Sequence, residues 1–421
     1  MRKYSVLPPF LAVFILQLLL APVFSITTVR AEVASGVVIH VNTPEDEFNA
    51  DGDCALREAL WAANTNTAKD ACPAGGGADF IVLPAGSYVL SITGIEENEG
   101  LTGDLDITSD LSILGASADV TIIDGNRIDR VFHLINPVAV TFLGLTIQNG
   151  QADDASSGGG GGILNQDANS TLTLDNCVLK DNRAKRVGGG LANAGTVTIL
   201  NSTLSGNQAM GSEVIFASGG GIYNVNTLHL LNVSLSNNFS LDTGGAMDNN
   251  GTATLTNVTL SSNTAAVGGG IFSDFSLTVI NTTLANNSTG IENRGNASFK
   301  NSILASSTAG SNCTGNALIS LGYNLDSGNS CLFNAAGDKA NLDPLLGLLQ
   351  DNGGPAWTHA LQPGSPAIDA ASSQDCPQTD QRGASRPADG NGDGSRACDI
   401  GAYEYEGSFN PFTYLPVILQ P

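Results

Sequence analysis

The chain has 421 residues, of which 40 are acidic and 17 are lysine or arginine, so its formal net charge is −23. A surface this acidic repels the phosphate backbone, so we expect no nucleic-acid partner, and it attracts cations. Seven cysteines allow three disulfides and one free thiol, which favours export to an oxidising compartment.

The first 31 residues have the features of a secretion signal. Arg2 and Lys3 precede an apolar stretch from Val6 to Phe24, and Val29-Arg30-Ala31 fits a cleavage site. Prolines interrupt the apolar stretch, which favours cleavage over a retained membrane anchor. We therefore predict a signal peptide at residues 1–31 and no transmembrane span in the mature chain.

Residues 37–80 are predicted to form an N-terminal cap. Residues 37–42 read as a strand, an acidic loop runs from Glu45 to Asp53, and the segment from Cys54 to Asn64 has apolar residues at helical spacing. A helix at this place would cover the first turn of a repeat array, whose unpaired edge would otherwise pair with other chains.

An asparagine motif recurs between residues 81 and 305. Each copy has an asparagine, three apolar or hydroxyl-bearing residues, and a second asparagine six positions after the first. The first asparagines of the copies are Asn176, Asn201, Asn232, Asn257 and Asn281, with a degenerate copy at Asn301. Their spacing of 20 to 31 residues, with runs that alternate every second residue, predicts short strands stacked in a solenoid. The predicted fold class is all-β, a right-handed parallel β-helix with an N-terminal capping helix and an irregular C-terminal cap.

Glycine runs separate most copies, for example Gly188 to Gly190 and Gly219 to Gly221. A phosphate-binding loop would need a helix to follow the glycines, whereas here strand-like residues follow. We therefore interpret the runs as corners of the coil, where the backbone takes positive φ or approaches its neighbour closely.

The period is lost after residue 305. Residues 306–407 are richer in proline and acids, and we expect them to wrap the last coils as a C-terminal cap. Residues 408–421 are too few to span a bilayer, which needs about 20 apolar residues. They are either a sorting segment read by other machinery or a last strand.

The cysteines suggest three local disulfides and one leftover thiol. The predicted pairs are Cys54 with Cys72, Cys313 with Cys331, and Cys376 with Cys398. Cys177 falls where other repeats carry a small or apolar residue, so we expect it to be buried and inert.

A calcium site is predicted near the C-terminal end. Asp389, Asn391, Asp393 and Ser395 offer oxygens at alternate positions with intervening glycines, and Asp399 follows one place before the last ligand position of a calcium loop. The alternative is a flexible acidic turn. A weaker candidate is the stretch 49–53 before the helix.

Charged residues also cluster on the early coils, where an enzyme could have its acids. They are Asp104, Asp106, Asp124, Arg127, Asp129, Arg130 and His133. We prefer the simpler interpretation that the two arginines pair with neighbouring aspartates. The four histidines of the chain show no zinc-binding spacing.

Both ends resemble known modules. The segment Cys54-Ala55-Leu56-Arg57-Glu58-Ala59 resembles the signature of CSLREA-domain proteins, with Ala55 where that name has serine. The closing segments, including Gly364 to Asp369 and Cys398 to Glu404, resemble the choice-of-anchor Q domain. The resemblance implies an exported bacterial protein, secreted or on the cell surface, with a pectin-lyase-like β-helix and a variable attachment device. It implies no particular activity.

Two functions therefore remain. The first is a non-enzymatic β-helix with a structural, adhesive or glycan-contacting role, whose partners would be extracellular glycans or cell-envelope components. The second is a carbohydrate-active enzyme, a polysaccharide lyase or glycoside hydrolase, on the same scaffold. We favour the first, because no acid and base converge in the sequence and the coils have few cations and aromatic residues.

Overall fold

The computed structural model describes residues 36–95, 97–153, 159–212 and 214–407. The predicted signal peptide and the tail at 408–421 lie outside these residues. Within them, no helix combines the length and apolar character that crossing a membrane would require.

The fold is a parallel β-helix, which confirms the predicted class. Each full coil contributes one strand to each of three parallel sheets. The first, sheet 1, contains Val38–His40, Asp79–Leu83, Leu111–Gly115, Ala139–Leu143, Thr171–Asp175, Thr196–Leu200, Thr227–Leu231, Thr252–Thr256, Ser276–Ile280, Asn296–Lys300 and Ile319–Ser320. Sheet 2 contains Gly86–Val89, Thr121–Asp124, Thr146–Gln148, Val178–Lys180, Thr203–Ser205, Ser234–Ser236, Thr259–Ser261, Thr283–Ala285, Ile303–Ala305, Leu325–Asp326 and Lys339–Ala340.

The third side of the coil is built from the shortest strands. Sheet 3 contains Leu105–Ile107, Phe132–Leu134, Ile163–Asn165, Leu191–Asn193, Ile222–Asn224, Met247–Asn249, Ile271–Ser273, Ile291–Asn293 and Cys313–Gly315. A small fourth sheet at one corner contains Gln151–Ala152, Arg183–Ala184, Gln208–Ala209 and Phe239–Ser240.

Alternation along each strand separates the interior from the surface. In Thr171–Asp175, Leu172 and Leu174 are buried while Thr171 is exposed. Their neighbours in the next coil, Val197 and Ile199, are in register with them. Stacking therefore aligns apolar side chains in one continuous core, which a single coil could not bury alone.

The two asparagines of the motif form two separate ladders. The first asparagines, at 176, 201, 232, 257, 281 and 301, all have left-handed φ between 45° and 57° at the bend between sheets 1 and 2. We call these the turn ladder. The second asparagines are buried and form the inner ladder, Asn182, Asn207, Asn238, Asn263 and Asn287. Each of the first four inner-ladder asparagines donates its Nδ2 to the Oδ1 of the next, over 2.9 to 3.1 Å.

The glycine runs form corners, as expected from the sequence. Gly188 has a φ of +63°, and a Cβ at this position would lie 2.3 Å from the carbonyl oxygen of Leu191. A Cβ on Gly189 would lie 2.4 Å from the carbonyl oxygen of Gly220 in the next coil. Leu191–Asn193, a strand rather than a helix, follows this run.

The N-terminal helix, Leu56–Thr65, covers the edge of sheet 3. Its Asn64 donates Nδ2 to the carbonyl oxygen of Asp106 at 2.8 Å and accepts from the backbone N–H of Thr108 at 2.9 Å. The edge strand Leu105–Ile107 thus has partners for backbone groups that would otherwise be open to another chain. The strand Val38–His40, expected in the cap, pairs with Asp79–Leu83 and so belongs to sheet 1.

The C-terminal cap differs in two ways from the sequence-based expectation. Coil strands continue past residue 305 as far as Lys339–Ala340, because the backbone ladders persist after the asparagine motif has ended. The rest of the cap packs against the side of sheet 2 rather than only around the last coils. It includes an antiparallel hairpin, Leu346–Gln350 with Thr358–Leu361, and a short 3-10 helix, Ser373–Asp375.

Polar side chains of sheet 2 hold the cap in place. Thr259 Oγ1 donates to Gln381 Oε1 at 2.6 Å, and Ser261 Oγ lies 2.9 Å from His359 Nε2. A second apolar core, which includes Ile303, Leu325, Leu361, Ala367 and Ile400, fills the space between them. The three expected disulfides are present: Cys54–Cys72, Cys313–Cys331 and Cys376–Cys398.

Candidate functional site

One surface row of sheet 3 carries chemically varied side chains. The middle residue of each three-residue strand is in register with the middle residue of the next coil, while its two neighbours face the core. We call this set the outer row: Asp106, His133, Leu164, Ala192, Tyr223, Asp248, Phe272, Glu292 and Thr314. Successive members are about 4.8 Å apart, which is the spacing of paired strands.

The outer row crosses a groove of about 500 Å³ in its middle. Tyr223, Asp248 and Phe272 come from three successive coils and line this sheet-3 groove. Its other lining residues include Arg186, Phe216, Asp242, Thr243, Asn250, Asp274 and Arg294. Ring faces, guanidinium groups and carboxylates therefore meet in one open cleft.

Asp248 is the most deeply buried acid of the groove, with 2% of its surface exposed. Thr243 Oγ1 donates to its Oδ2 at 2.5 Å, and Asn250 Nδ2 donates to its Oδ1 at 2.6 Å. Burial raises the pKa of the Asp248 carboxyl, and these hydrogen bonds oppose the rise only in part. A buried carboxyl that is held in place by hydrogen bonds is a candidate proton donor or acceptor.

The aromatic residues of the groove are fixed by charged neighbours. The guanidinium of Arg294 lies over the Phe272 ring, 4.7 Å from its centroid, and its Nε lies 3.3 Å from Glu292 Oε1. Burial and the nearby Asp248 raise the pKa of the Tyr223 hydroxyl, so this phenol stays protonated and can donate a hydrogen bond.

The N-terminal end of the outer row holds a second, buried cluster. Arg130 Nε lies 2.7 Å from Asp104 Oδ2, and His133 Nδ1 lies 3.3 Å from Asp106 Oδ1. Burial, followed by the charge of Asp106, raises the pKa of the Asp104 carboxyl to about 8, although Arg130 opposes this. The ligand atoms of Asp104, Asp106 and His133 all lie within 4.8 Å of one another.

The predicted charge cluster is therefore divided in the structure. Arg130 pairs with an aspartate, as expected, but Arg127 instead contacts Asn149 Oδ1 and the carbonyl oxygen of Asp181, each at 3.4 Å. Asp124 lies in sheet 2, where its Oδ2 accepts from Gln148 at 2.7 Å. These two residues are apart from the sheet-3 cluster because strands 121–124 and 132–134 belong to different sides of the coil.

The predicted calcium residues are only partly brought together. Asp389 Oδ1 accepts the backbone N–H of Gly392, and Asn391 and Asp393 accept from residues two places on, so the segment 389–395 forms one tight turn. Asp399 is buried outside this turn. Its oxygens accept the backbone N–H groups of Asp369 and Tyr405, and burial together with Glu404 raises its pKa to about 7. Calcium at this turn stays a prediction, for which Asp389, Asn391, Asp393 and Ser395 are the neighbouring oxygen donors.

The weaker candidate loop before the helix gathers several acids. Glu47, Asp51 and Asp53 place carboxylate oxygens within 4.8 Å of one another, and Asp53 does so again with Glu58 and Asp70. Partial burial and Asp53 raise the pKa of Glu47 to about 6. Calcium binding at this loop also stays a prediction.

Cys177 has the properties expected of a packing residue. Its Sγ lies 3.3 Å from the carbonyl oxygen of Phe142, and burial raises the pKa of the thiol to about 11. Such a thiol does not supply the thiolate that nucleophilic catalysis requires.

Sequence reasoning missed the acids of the groove. Asp242 and Asp248 lie in one repeat and Asp274 in the next, and each reads as an ordinary turn or strand residue. A signal was available in the glycine runs: Tyr223, Asp248 and Phe272 each lie four places after the first glycine of a run, so aligning the repeats on these runs places them in one row.

Comparison with known proteins gives a likeness of fold. No family model matches the chain, and no curated protein matches it. The resemblance of its ends to the CSLREA and choice-of-anchor Q domains therefore stays a prediction. Among solved structures, the crystal structure of pectate lyase Pel9A is similar, with a TM-score of 0.43 and 15% identity, covering 87% of this chain and 96% of that chain.

Proposed function

We propose that this protein is an exported β-helix that binds an extended, neutral polysaccharide along the sheet-3 groove. The observation that carries the proposal is the open cleft beside the outer row, where the half-buried ring of Tyr223 and the ring of Phe216, 60% exposed, lie with arginine and aspartate side chains. Three disulfides fit an extracellular setting, where such glycans occur.

The composition of the groove suits a sugar chain. Sugar rings have apolar faces that pack on aromatic side chains, and hydroxyl rims that hydrogen-bond to carboxylates, amides and guanidinium groups. Tyr223 and Phe216 both line the cleft, and each leaves part of its ring open to solvent. Their rings can therefore contact sugar units of a chain bound in the cleft.

Charge favours a neutral ligand over an acidic one. Arg186 and Arg294 are opposed by Asp242, Asp248 and Asp274 in the groove itself. The whole chain carries a formal charge of −23, which repels a polyanion at long range. Two arginines provide directional hydrogen bonds here without making the groove an anion site.

The proposal is tested by affinity electrophoresis and calorimetry with soluble arabinan, galactomannan, xyloglucan and mixed-linkage glucan, with polygalacturonate and alginate as acidic probes. We expect one of the neutral glycans to bind and the acidic ones to bind more weakly. Tyr223→Ala and Phe216→Ala should each weaken binding about fivefold, which corresponds to a contact of about 1 kcal/mol. Phe275→Ala is the matched control, since Phe275 is 60% exposed and does not line the groove. Equal losses in all three variants, or no binding by the wild type, would contradict the proposal.

A second candidate, glycan hydrolysis, is favoured by the state of Asp248. Glycoside hydrolysis generally uses two carboxyl groups, and Asp248, whose pKa is raised by burial, lies in the same groove as Asp242 and Asp274. Reducing-end release from the bound glycan, abolished by Asp248→Asn while binding persists, would establish hydrolysis. Binding without release would leave the protein as a glycan-binding β-helix.

A further inference from the structure

The cluster at the N-terminal end of the outer row has the composition of a metal-binding site. Asp106 and His133 are register partners in adjacent strands, so both side chains leave sheet 3 on the same side. Asp104 precedes the strand of Asp106, and its carboxylate completes a set of three ligand groups within 4.8 Å. All three residues are at least nine-tenths buried.

The hydrogen bonds around His133 leave one ring nitrogen facing the acids. Gln166 Oε1 lies 2.5 Å from His133 Nε2, and a carbonyl oxygen can only accept, so Nε2 carries the proton. In a neutral imidazole, Nδ1 then has a lone pair, and it points at Asp106 Oδ1 over 3.3 Å. Asp106 Oδ1 is buried and receives no hydrogen bond, while its Oδ2 accepts the backbone N–H of Gly100 at 2.8 Å. Two lone pairs therefore face each other unless a proton or a metal ion lies between them.

The distance between His133 and Asp106 is compatible with a shared metal ion. With metal–ligand bonds of about 2.1 Å and angles between 90° and 109°, neighbouring ligand atoms are about 3.0 to 3.4 Å apart. The observed 3.3 Å between Nδ1 and Oδ1 falls within that interval. Gln166 would act as the outer-shell partner that orients the ring, and metal-binding histidines generally have such a partner.

We propose that Asp104, Asp106 and His133 bind one divalent transition-metal ion, such as Zn²⁺. A nitrogen ligand beside two carboxylates favours such an ion over Ca²⁺, which prefers a shell of oxygens. The site lies three coil steps from Tyr223 along the outer row, about 14 Å at the usual spacing. It is therefore separate from the sheet-3 groove and independent of the proposed glycan binding.

The test uses the untagged full chain with intact disulfides, dialysed against chelator and titrated with Co²⁺ while its visible absorption is recorded. We expect one equivalent of Co²⁺ to bind with d–d bands and to be displaced by Zn²⁺. His133→Ala should weaken Co²⁺ binding more than 100-fold, and Gln166→Ala about tenfold, the usual effect of losing an outer-shell partner. His229→Ala is the matched control, because His229 is an exposed histidine on sheet 1.

A second measurement keeps the test decisive if His133→Ala fails to fold. With ¹⁵N-labelled histidine, the four imidazoles of the wild type give few signals, and Zn²⁺ should shift the Nδ1 resonance of one of them. The proposal is overturned if the wild type takes up neither Co²⁺ nor Zn²⁺. It is also overturned if His133→Ala and His229→Ala bind alike, or if His133 is an imidazolium that Zn²⁺ leaves unchanged.

Discussion

Replacing Asn238 by alanine tests whether the inner ladder holds the coils together. Asn238 is fully buried, and its Oδ1 accepts both the backbone N–H and the Nδ2 of Asn207 at 3.0 Å. Its Nδ2 donates to the carbonyl oxygen of Leu204 at 3.0 Å and to Asn263 Oδ1 at 3.0 Å. One side chain therefore joins three successive coils.

The expected cost follows from the groups that lose partners. Asn238→Ala deprives two donors of Asn207 and the carbonyl of Leu204, whereas Asn263 Oδ1 keeps the backbone N–H of residue 238. Each buried group left without a partner costs about 1 to 1.5 kcal/mol, so the free energy of unfolding should fall by about 3 to 5 kcal/mol.

Asn232→Ala is the matched control from the same coil. Asn232 belongs to the turn ladder, is half-buried, and donates to Asn201 Oδ1 at 3.0 Å. Alanine in its left-handed conformation, at a φ of 57°, costs about 1 to 2 kcal/mol. Guanidinium denaturation with intact disulfides measures the free energy of unfolding of both variants. The comparison holds when that free energy falls with denaturant concentration at the same slope in each. If Asn238→Ala costs no more than Asn232→Ala, the buried ladder does not stabilise the stack as argued.

Three further predictions concern single groups. Because the folded-state pKa of Asp248 is raised above its ordinary 3.8, its favourable contribution is present below that pH and is lost as pH rises through the raised value. Wild type should therefore lose stability relative to Asp248→Asn from pH 4 upward, and parallel unfolding curves would contradict this. Calcium at 100 times its Kd should raise the free energy of unfolding by about 2.7 kcal/mol. The double variant Asp389→Ala/Asp393→Ala should abolish that gain while Asp351→Ala retains it. Equal stabilisation of the two variants by calcium would contradict the predicted site. Iodoacetamide at pH 8 should leave Cys177 unmodified in the native chain and alkylate it after unfolding, since burial raises its pKa to about 11; native labelling at the unfolded rate would contradict its burial.

The coil could be predicted from the sequence because every repeat meets the same structural requirements. Asn207 and Asn238 occupy equivalent positions in successive coils, because each coil has the same buried backbone groups that need hydrogen-bond partners. Leu204 occupies a recurring core position. The groove could not be predicted in this way. Its residues, such as Tyr223 and Asp248, differ from coil to coil, and unequal repeat lengths hide their common register.

The position of the cap was also hidden from sequence reasoning. Outward hydroxyl residues occupy several strands of sheet 2, yet Thr203 and Ser205 are half-buried whereas Thr259 and Ser261 are covered. Nothing in their type distinguishes the two cases, because threonine and serine suit both an exposed strand and a hydrogen-bonded contact. The burial of Thr259 and Ser261 depends on segments more than 90 residues away, including His359.

The contrast between the outer faces of sheets 1 and 3 indicates where function resides. Sheet 1 presents residues such as Thr171 and Thr196, which a pleated surface favours on its own account. Sheet 3 presents Asp248 and His133, which disfavour strands and are expensive to bury. If strand stacking were the only requirement at these positions, threonine or valine would make the protein more stable. Their presence in the centre of short strands, with hydrogen bonds that hold each side chain in place, agrees with the ligand binding that we propose for that face.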